Sequence, residues 1–218
     1  MKIVNSITED YHMHTSTFSD AIPTINELVI YAGKIGMTEI GVTDHSELCL
    51  KALNINPRHR SLANRWRNVH NNVNVIFGIE GDILDDEGNM CDHIHGYKSD
   101  LLIASLHPQT YKGTNPTKAY IEAMKKNKIS FIGHPCAKYF GKQVEIREIT
   151  KAANDFNLPL EIDCANLMNN NTVISKLEKM LTLADQIIIN SDAHVLNELK
   201  EARKLGYLFL QDRGYLNP

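Results

Sequence analysis

Residues 9–20 read EDYHMHTSTFSD, a short β-prone run that ends in two histidines and continues into a polar loop. His12 and His14 are two residues apart, so both side chains point to the same side of a strand over Glu9–Met13. Asp20 follows in the loop. A strand with metal-binding types of side chain at its carboxyl end is the pattern that recurs along this chain.

Seven such β-prone runs alternate with amphipathic helical segments. The helix after the first run begins at Thr24, which forms a capping-box pair with Glu27. A later helix begins at Asn115, a favourable N-cap, with Pro116 in its first turn. A further helix is predicted near Pro57–Asn71. The seven predicted strands are Glu9–Met13, Glu39–Thr43, Val73–Ile79, Leu101–Ser105, Ser130–Gly133, Leu160–Asp163 and Gln186–Asn190.

Alternation of strands and helices predicts an α/β fold in which parallel strands are joined by right-handed crossovers. The strands are mostly apolar with little alternation, as expected when both faces of a sheet are covered. Two architectures agree with this pattern, a (β/α) barrel and an open doubly wound sheet. The stretch Gly81–His95 breaks the rhythm and predicts an excursion. The sequence contains no repeat or linker, so we expect one domain over residues 1–218.

Composition narrows the classes of function. The 218 residues include 22% charged and 43% hydrophobic residues with a formal net charge of -3, which indicates a globular chain without overall attraction to nucleic acid or acidic membranes. The N-terminus lacks the apolar region of a signal peptide, and no apolar run reaches the roughly 18 residues of a membrane span. Four cysteines without a CxxC pair predict free thiols. We therefore expect a cytoplasmic protein.

Histidine is unusually placed in this sequence, because six of the 10 histidines fall at or just after predicted strands. A single histidine there is more often a cap or a hydrogen-bonded core residue. In a (β/α) barrel, however, the strand ends on one rim converge on one mouth, where catalytic groups gather. The combined placement therefore predicts a metal site. Its candidate ligands are His12, His14, Asp20, His45, Glu80, His107, His134, Asp192 and His194.

The candidate ligands also indicate which metals are suitable. Imidazole and carboxylate together suit zinc, manganese or iron. A carboxylate can bridge two ions, so Glu80 and the aspartates are the candidate bridges. Three carboxylates contribute about −3 and three divalent ions about +6, which leaves roughly +3 before bound hydroxide. A site of two or three divalent ions would thus suit a phosphate monoester and stabilise its oxygens during in-line attack.

Six segments that contain these residues form an ordered set of motifs. They read DYHMHTSTFSD, GVTDHSE, GIEGDIL, ASLHP, GHP and SDAH, and they span residues 10–194. The set resembles the PHP family, which is named for polymerase and histidinol phosphatase. The resemblance implies a distorted seven-stranded (β/α) barrel and a metal-dependent phosphoesterase. It further implies that a metal-activated hydroxide attacks phosphorus, without a serine or cysteine nucleophile.

Carried over motif by motif, the resemblance implies three metal ions, of which the first and the third share Glu80 as a bridge. Their implied ligands are His12, His14, Glu80 and Asp192 for the first ion, Asp20, His45 and His194 for the second, and Glu80, His107 and His134 for the third. Glu80, Asp192 and His194 are the implied catalytic residues. None of the nine positions departs from the family pattern, which argues against members that have lost their metals.

Several other polar residues near strand ends receive separate interpretations. Lys138 and Arg58 are candidate phosphate ligands, because both lie in loops or at helix starts after ligand-bearing strands. Asp44 is expected to orient the ligand histidine that follows it, without binding metal itself. His93 and His95 form a second HxH pair beside the predicted excursion, so we interpret them as a surface or structural pair.

The function that these residues favour is hydrolysis of a small-molecule phosphate monoester, with L-histidinol phosphate as the best single substrate. One alternative is a 3′-exonuclease or nucleotide phosphoesterase that uses the same metals. A single tryptophan (Trp66) and the lack of a dense basic run disfavour it. Another alternative is a metal-binding module without catalysis, which retention of all nine ligands disfavours. The expected partner is a small phosphorylated substrate and not a membrane.

Overall fold

The computed structural model describes residues 1–54 and 65–216, and these ranges contain ten β-strands. The strands are β1 (Lys2–Ile3), β2 (Glu9–Asp10), β3 (Glu39–Val42), β4 (Asn74–Phe77), β5 (Ile79–Ile83), β6 (Met90–Cys91), β7 (Leu102–Ser105), β8 (Phe131–Ile132), β9 (Leu160–Asp163) and β10 (Gln186–Asn190). A strand lies at each of the seven predicted places. β1, β5 and β6 have no separate counterpart among the predicted strands.

The same ranges contain seven α-helices. They are α1 (Ile25–Lys34), α2 (Glu47–Ala52), α3 (Pro116–Lys126), α4 (Ile146–Asp155), α5 (Cys164–Met168), α6 (Ile174–Leu183) and α7 (Glu198–Asp212). α1 begins at the predicted capping box, where the Thr24 hydroxyl accepts from the Glu27 N–H at 3.3 Å and the Glu27 carboxylate accepts from the Thr24 N–H at 2.8 Å. α3 begins at the predicted Asn115 cap. None of these described helices is both long and apolar enough to cross a bilayer.

The strands form two sheets, which confirms the predicted α/β fold with parallel strands. The larger sheet has the order β1-β10-β9-β8-β7-β5-β6, and only its edge strand β6 is antiparallel. The smaller sheet has the order β2-β3-β4 and is parallel throughout. Gly78 alone separates β4 from β5, so one bent segment belongs to both sheets. A Cβ atom at Gly78 would lie 2.6 Å from the Thr43 Cγ2 atom, which explains why the bend needs a glycine.

The two sheets meet at their carboxyl-terminal corners through two isolated parallel bridges. Met13 pairs with Ala193, and His45 pairs with Glu80. Regular pairing of β2 ends at Asp10, because side chains then satisfy the backbone. The Tyr11 N–H donates to the Asn190 side chain at 3.0 Å and the His12 N–H to the Asp10 carboxylate at 3.0 Å. The strands are therefore paired as two joined sheets and not as one continuously closed sheet.

Apolar side chains form separate clusters against the two sheets. The largest cluster packs helices such as α4 and α6 against the large sheet, and it includes Ile132 and Ile149 at full burial. A second cluster packs α1 against the small sheet around Leu28 and Ile40. Cys136 and Cys164 lie in the largest cluster at 5% and 0% exposure. All four cysteines are free and buried.

Two regions of the chain do not follow the regular alternation of strands and helices. The predicted excursion Gly81–His95 contains the antiparallel pair of β5 and β6. The predicted helix near Pro57–Asn71 is partly outside the described residues, and residues 65–71 of it form turns and irregular chain. There the Asn68 amide donates to the Val73 carbonyl at 2.8 Å and its oxygen accepts from the His70 N–H at 3.0 Å. Such side-chain bonds compete with a helix for the backbone.

Candidate metal centre

The nine predicted ligands converge at the carboxyl ends of the strands, along the line where the two sheets meet. Loops after β2 and β3 contribute four of them, and β5 and the ends of β7, β8 and β10 contribute the other five. Each has a nitrogen or oxygen atom within 3.5 Å of another member. The structure therefore brings together residues that are up to 182 positions apart, from His12 to His194.

Glu80 lies at the centre of this cluster. Its side chain is 1% exposed and comes from the second residue of β5. The imidazole nitrogens around its two oxygens belong to His134 at 2.9 Å, His107 at 3.2 Å, His12 at 3.5 Å, His45 at 2.9 Å and His14 at 3.7 Å. One carboxylate thus faces histidines from both sheets, which is the arrangement that a bridging ligand needs.

Asp192 closes a second side of the cluster. Its Oδ1 atom lies 3.1 Å from His14 Nε2 and 3.4 Å from His12 Nε2. The backbone φ of Asp192 is +52°, and that of His134 is +27°. Residues with a Cβ atom rarely adopt this left-handed region, and such conformations concentrate at functional sites. The backbone at both positions is therefore held in a less favourable form that directs the side chain into the cluster.

Asp20 forms the solvent-facing corner of the cluster. Its Oδ1 atom lies 3.4 Å from His194 Nε2 and 3.5 Å from His45 Nε2. The Asp20 side chain is 57% exposed and that of His194 is 33% exposed, whereas His45 is 8% exposed. A ligand from solvent therefore reaches the cluster from this corner.

Burial and charge act in opposite directions on the pKa values of the cluster. Burial alone would lower the pKa of His12, but the surrounding carboxylates outweigh it and raise the pKa well above its usual value. Burial would raise the pKa of Glu80, but the surrounding imidazoles hold it well below its usual value. Burial and the neighbouring imidazoles together lower the pKa of His14 to about 3. His14 is thus neutral near pH 7, which is the form of histidine that binds a metal.

The donor atoms are spaced as the ligands of divalent ions would be. Two donor atoms of one divalent ion lie at most about 4–5 Å apart, which is twice a metal–ligand bond of about 2.0–2.6 Å. Three sets of these residues have ligand atoms within 4.8 Å of one another, namely His12, His14 and Glu80; His14, His45 and His194; and His45, Glu80 and His107. The residues therefore fit a multinuclear site for divalent metals.

An unmatched pair of buried atoms supports the same fit. Glu80 Oε2 and His45 Nδ1 lie 2.9 Å apart, yet neither has an aligned hydrogen bond. A buried polar atom without a partner costs about 1–3 kcal/mol. A cation that lies to one side of both atoms, about 2 Å from each, would satisfy both.

Two carboxylates that sequence analysis did not assign also contact the cluster. Asp82 Oδ1 lies 2.8 Å from His107 Nδ1, and Glu161 Oε1 lies 2.9 Å from His12 Nδ1. Asp82 could have been noticed, because it is two residues after Glu80 on β5 and so points to the same side. Glu161 lies near the end of a predicted strand and could have been noticed as a substrate contact, but β9 carries none of the nine ligands, so nothing in the sequence paired Glu161 with one of them. Only the sheet order places it beside His12.

The prediction that Asp44 orients the His45 ring is wrong, because the Asp44 carboxylate has a different partner. Its carboxylate does not contact the His45 ring in a hydrogen bond but accepts from the Thr15 N–H and the Thr15 hydroxyl, each at 2.6 Å. Asp44 and His45 are adjacent residues at the end of an extended strand, so their side chains point to opposite sides. Asp44 thus fixes the loop that follows His14.

A cleft of about 200 Å³ opens over the cluster. Seven of the nine predicted ligands line it, and its other described lining residues are Cys49, Leu53, Pro108, Gln109 and Tyr139. None of these described lining residues is a lysine or an arginine. Bound metal ions would supply positive charge to this cleft.

The two predicted phosphate ligands have different outcomes. Arg58 lies outside the described residues. Lys138 lies in a short 3-10 helix, Lys138–Phe140, is not among the residues that line the cleft, and donates from Nζ to the Asn170 carbonyl. Its neighbour Tyr139 does line the cleft, and the Tyr139 hydroxyl donates to the Asn166 side chain at 3.1 Å.

The second HxH pair is not among the residues that line the cleft. The His93 side chain is 40% exposed, with its Nδ1 atom 3.3 Å from Asp92 and its Nε2 atom 3.7 Å from Glu47. The His95 ring centre lies 6.0 Å from that of Phe18. The structure therefore separates this pair from the nine ligands, as the sequence interpretation expected.

Comparison with known proteins gives a consistent result. The model of the PHP domain family matches residues 10–156. A probable phosphatase of Thermoanaerobacter sp. (strain X514) is 29% identical over 220 residues, which cover 90% of this chain and 84% of that protein. The DNA polymerase/3′-5′ exonuclease PolX of Bacillus subtilis (strain 168) is 26% identical over 209 residues, which cover 92% of this chain and 36% of the polymerase.

A solved structure with a similar fold is the histidinol phosphate phosphatase of Lactococcus lactis subsp. lactis, complexed with zinc, L-histidinol and phosphate. The two chains superpose with a TM-score of 0.61, which covers 99% of this chain and 95% of that chain. Their sequences are 14% identical, so this likeness concerns the fold alone.

Proposed function

This chain belongs to the PHP domain family and is a metal-dependent phosphatase, and on that premise we propose that its substrate is a small-molecule phosphate monoester. The observation that carries the proposal is the meeting of nine histidine, aspartate and glutamate side chains under a cleft of about 200 Å³. Sites for small molecules are concave and few in a protein. A cleft of this size suits a compact ester better than a polymer.

The proposed ligand sets follow the family motifs. They are His12, His14, Glu80 and Asp192 for one ion, Asp20, His45 and His194 for a second, and Glu80, His107 and His134 for a third. The position of Glu80 between histidines of both sheets supports its role as a bridge. Zinc, manganese and iron are the candidate metals. Glu80, Asp192 and His194 are the proposed catalytic residues.

The chain encloses the inner side of the cluster and leaves the outer side exposed to solvent, and this arrangement would position a phosphate. Divalent metals, when bound, supply Lewis-acid stabilisation of phosphoryl oxygens and lower the pKa of a water molecule. His12, His14 and Glu80 are at most 1% exposed, so they exclude bulk water from the inner side. Asp20 and His194 are exposed at the outer corner. The scissile phosphate would therefore enter from the side of Asp20 and His194.

L-Histidinol phosphate is the specific substrate that we propose to test first. Support comes from the fold of the Lactococcus lactis enzyme, which holds L-histidinol and phosphate. Three of the described non-ligand residues at the cleft offer contacts of different kinds. Leu53 has an apolar side chain, Gln109 has a polar one, and Tyr139 has both a ring and a hydroxyl group. They are the proposed contacts for the leaving group.

We also infer that the two sheets together form one distorted seven-stranded barrel and that the PHP domain covers residues 1–218. If β4 and β5 are taken as one bent strand and the two-residue strand β1 is set aside, the described residues supply seven parallel barrel positions. The bridge between Met13 and Ala193 and the bridge between His45 and Glu80 lie where the two sheets would be joined. The order of the ligands around such a barrel explains why they meet at one mouth.

A second candidate function is 3′-exonuclease or nucleotide phosphoesterase activity. The similarity of this chain to the Bacillus subtilis polymerase and exonuclease favours it. Channels for single-stranded nucleic acid combine positive charge with aromatic stacking surfaces. Among the described lining residues, Tyr139 is the only tyrosine, phenylalanine or tryptophan, and none is a lysine or an arginine. The cleft therefore supports the monoester more strongly.

The test is a phosphatase assay of the purified chain loaded with manganese or with zinc. L-Histidinol phosphate, a set of nucleotides and single-stranded DNA are compared at equal concentrations. We expect release of phosphate from the monoesters and little cleavage of DNA. Metal content is measured on the same samples, and a fully metal-loaded chain that hydrolyses no phosphate ester would refute the proposed substrate class.

A further inference from the structure

Asp82 and Glu161 are each surrounded by hydrogen-bond donors. For Glu161, Oε1 accepts from the Asn190 side chain at 2.8 Å and Oε2 accepts from the His134 N–H at 2.8 Å. For Asp82, Oδ1 accepts from the Thr110 hydroxyl at 2.6 Å, and Oδ2 accepts from the Ser46 hydroxyl. Both side chains are at most 1% exposed. Each carboxylate is therefore held rigidly as an acceptor.

An acceptor in this position dictates which nitrogen of the neighbouring histidine carries hydrogen. Glu161 faces His12 Nδ1 at 2.9 Å, so that nitrogen must donate. In the neutral imidazole that binds a metal, the other nitrogen of His12, Nε2, then carries the lone pair, and it lies 3.5 Å from Glu80 Oε1. The second pair repeats the arrangement on another strand of the large sheet. Asp82 faces Nδ1 of a histidine whose Nε2 lies 3.2 Å from the same Glu80 oxygen.

We propose that Asp82 and Glu161 are positioning residues, each holding one ligand histidine as the Nδ1–H tautomer with its Nε2 lone pair directed at Glu80. The proposal rests on the proposed metal assignment, in which His12 and His107 bind different ions that share Glu80. A carboxylate behind a ligand imidazole raises its basicity and fixes its orientation. The two carboxylates thus set the geometry on both sides of the bridge.

The arrangement is selective within the cluster. In the described part of the chain, the Nδ1 atoms of His14 and His134 have no hydrogen-bond partner. A carboxylate acceptor at Nδ1 is therefore found at His12 and His107 but not at His14 or His134, so it is not a general consequence of burial.

The first experiment compares zinc affinity of the parent chain with that of Glu161→Gln and Asp82→Asn, by competition with a chromophoric chelator. At position 161 the NH₂ group of a glutamine must face either the His134 N–H or the Asn190 NH₂ group. In each orientation a donor therefore faces another donor, and one hydrogen bond is lost. At position 82 the NH₂ group can face the Ser46 hydroxyl, which can rotate and accept. We expect zinc affinity to fall by about 100-fold for Glu161→Gln and about 10-fold for Asp82→Asn.

The second readout is independent of affinity and of turnover. Proton NMR of the zinc-loaded parent chain should show downfield signals from the hydrogen-bonded Nδ1–H groups of His12 and His107. The His12 signal should be lost in Glu161→Gln, and the His107 signal should shift in Asp82→Asn because the acceptor loses its charge. Affinity of both variants within about 3-fold of the parent, or an unchanged signal in either, would overturn the proposal.

Asp163→Asn is the matched control. Asp163 is a buried carboxylate on the same strand as Glu161, and its oxygens accept from Asn166. This variant should keep both signals and the zinc affinity of the parent. If Glu161→Gln does not fold, Asp82→Asn decides the question alone. Because zinc affinity and NMR need no substrate, the expected shifts in a chain that hydrolyses no ester would support the positioning roles and refute only the proposed substrate.

Discussion

The Asp192 backbone lies in the left-handed region with a φ of +52°, and its N–H donates to the His12 carbonyl at 3.0 Å. Asp and Asn adopt this region more readily than other residues that carry a Cβ atom. The carboxylate of the same residue lies 3.1 Å from His14 Nε2. An asparagine at this position would therefore keep the backbone while removing the charge that a metal needs.

Asp192→Asn tests the ligand role without disturbing the chain path. We expect kcat on the best monoester to fall by about 10²–10³-fold, comparable to the loss of one group that stabilises a transition state. Circular dichroism and the melting temperature after chelator treatment should match the parent. His93→Ala, a change at an exposed histidine outside the cleft, should leave kcat unchanged. A fully active Asp192→Asn variant would contradict the assignment.

At the scale of secondary structure, the last helix α7 is joined to the ligand-bearing strand ends by one buried ion pair. Arg203 is 4% exposed, its Nε atom lies 3.3 Å from Asp10 Oδ2, and it donates to the Ile7 carbonyl at 2.8 Å. The Asp10 carboxylate in turn accepts from the N–H groups of His12 and Ser191, each at 3.0 Å. The pair therefore fixes the ends of β2 and β10 side by side.

Arg203→Met tests this connection. The substitution leaves the buried Asp10 carboxylate without its cation, so we expect the free energy of unfolding to fall by about 3–5 kcal/mol. Urea unfolding of the chelator-treated protein measures it. Lys204→Met is the control, because this neighbouring residue on α7 is exposed and its replacement should change stability by about 0.5 kcal/mol or less. Equal effects of the two substitutions would show that the ion pair stabilises nothing.

At the scale of the whole molecule, the candidate metal centre is where the two sheets are joined. The small sheet side contributes His12, His14 and His45, while Glu80, His107, His134 and Asp192 come from the large sheet side. Regular strand pairing is interrupted there and replaced by two isolated bridges. Metal ions bound by both groups would therefore hold the sheets together, in addition to their chemical role.

Removal of metal should therefore lower the stability of the entire chain. A ligand present at about 100 times its Kd stabilises a fold by about 2.7 kcal/mol, which corresponds to a fall of about 5–10 °C in melting temperature when it is removed. The ion beside the exposed Asp20 should leave first, with little change. Calorimetry along a chelator titration, with metal content measured at each step, checks this order. Readdition of zinc should restore the melting temperature, and an unchanged value in the metal-free chain would contradict the prediction.

Strand–helix alternation and the types of residue at strand ends were readable along the chain, because both depend on local spacing. His12 and His14 share a side by the two-residue period of a strand, and the Thr24 capping box is confined to one helical turn. The same local reasoning was wrong at residues 65–71. There the Asn68 side chain hydrogen-bonds to the Val73 carbonyl and the His70 N–H, and these bonds compete with helix formation.

Features that depend on which strands lie side by side could be known only from the tertiary structure. Local spacing puts His12 and Glu161 on unrelated strands 149 residues apart, yet the order of β9 and β10 and the corner beside β2 bring their side chains to 2.9 Å. The side of β3 on which Asp44 points, the division into two sheets and the exposed corner at Asp20 likewise come from long-range packing. Residue identity therefore predicts the chemistry of the site, whereas the contacts that orient its ligands follow from strand order and register.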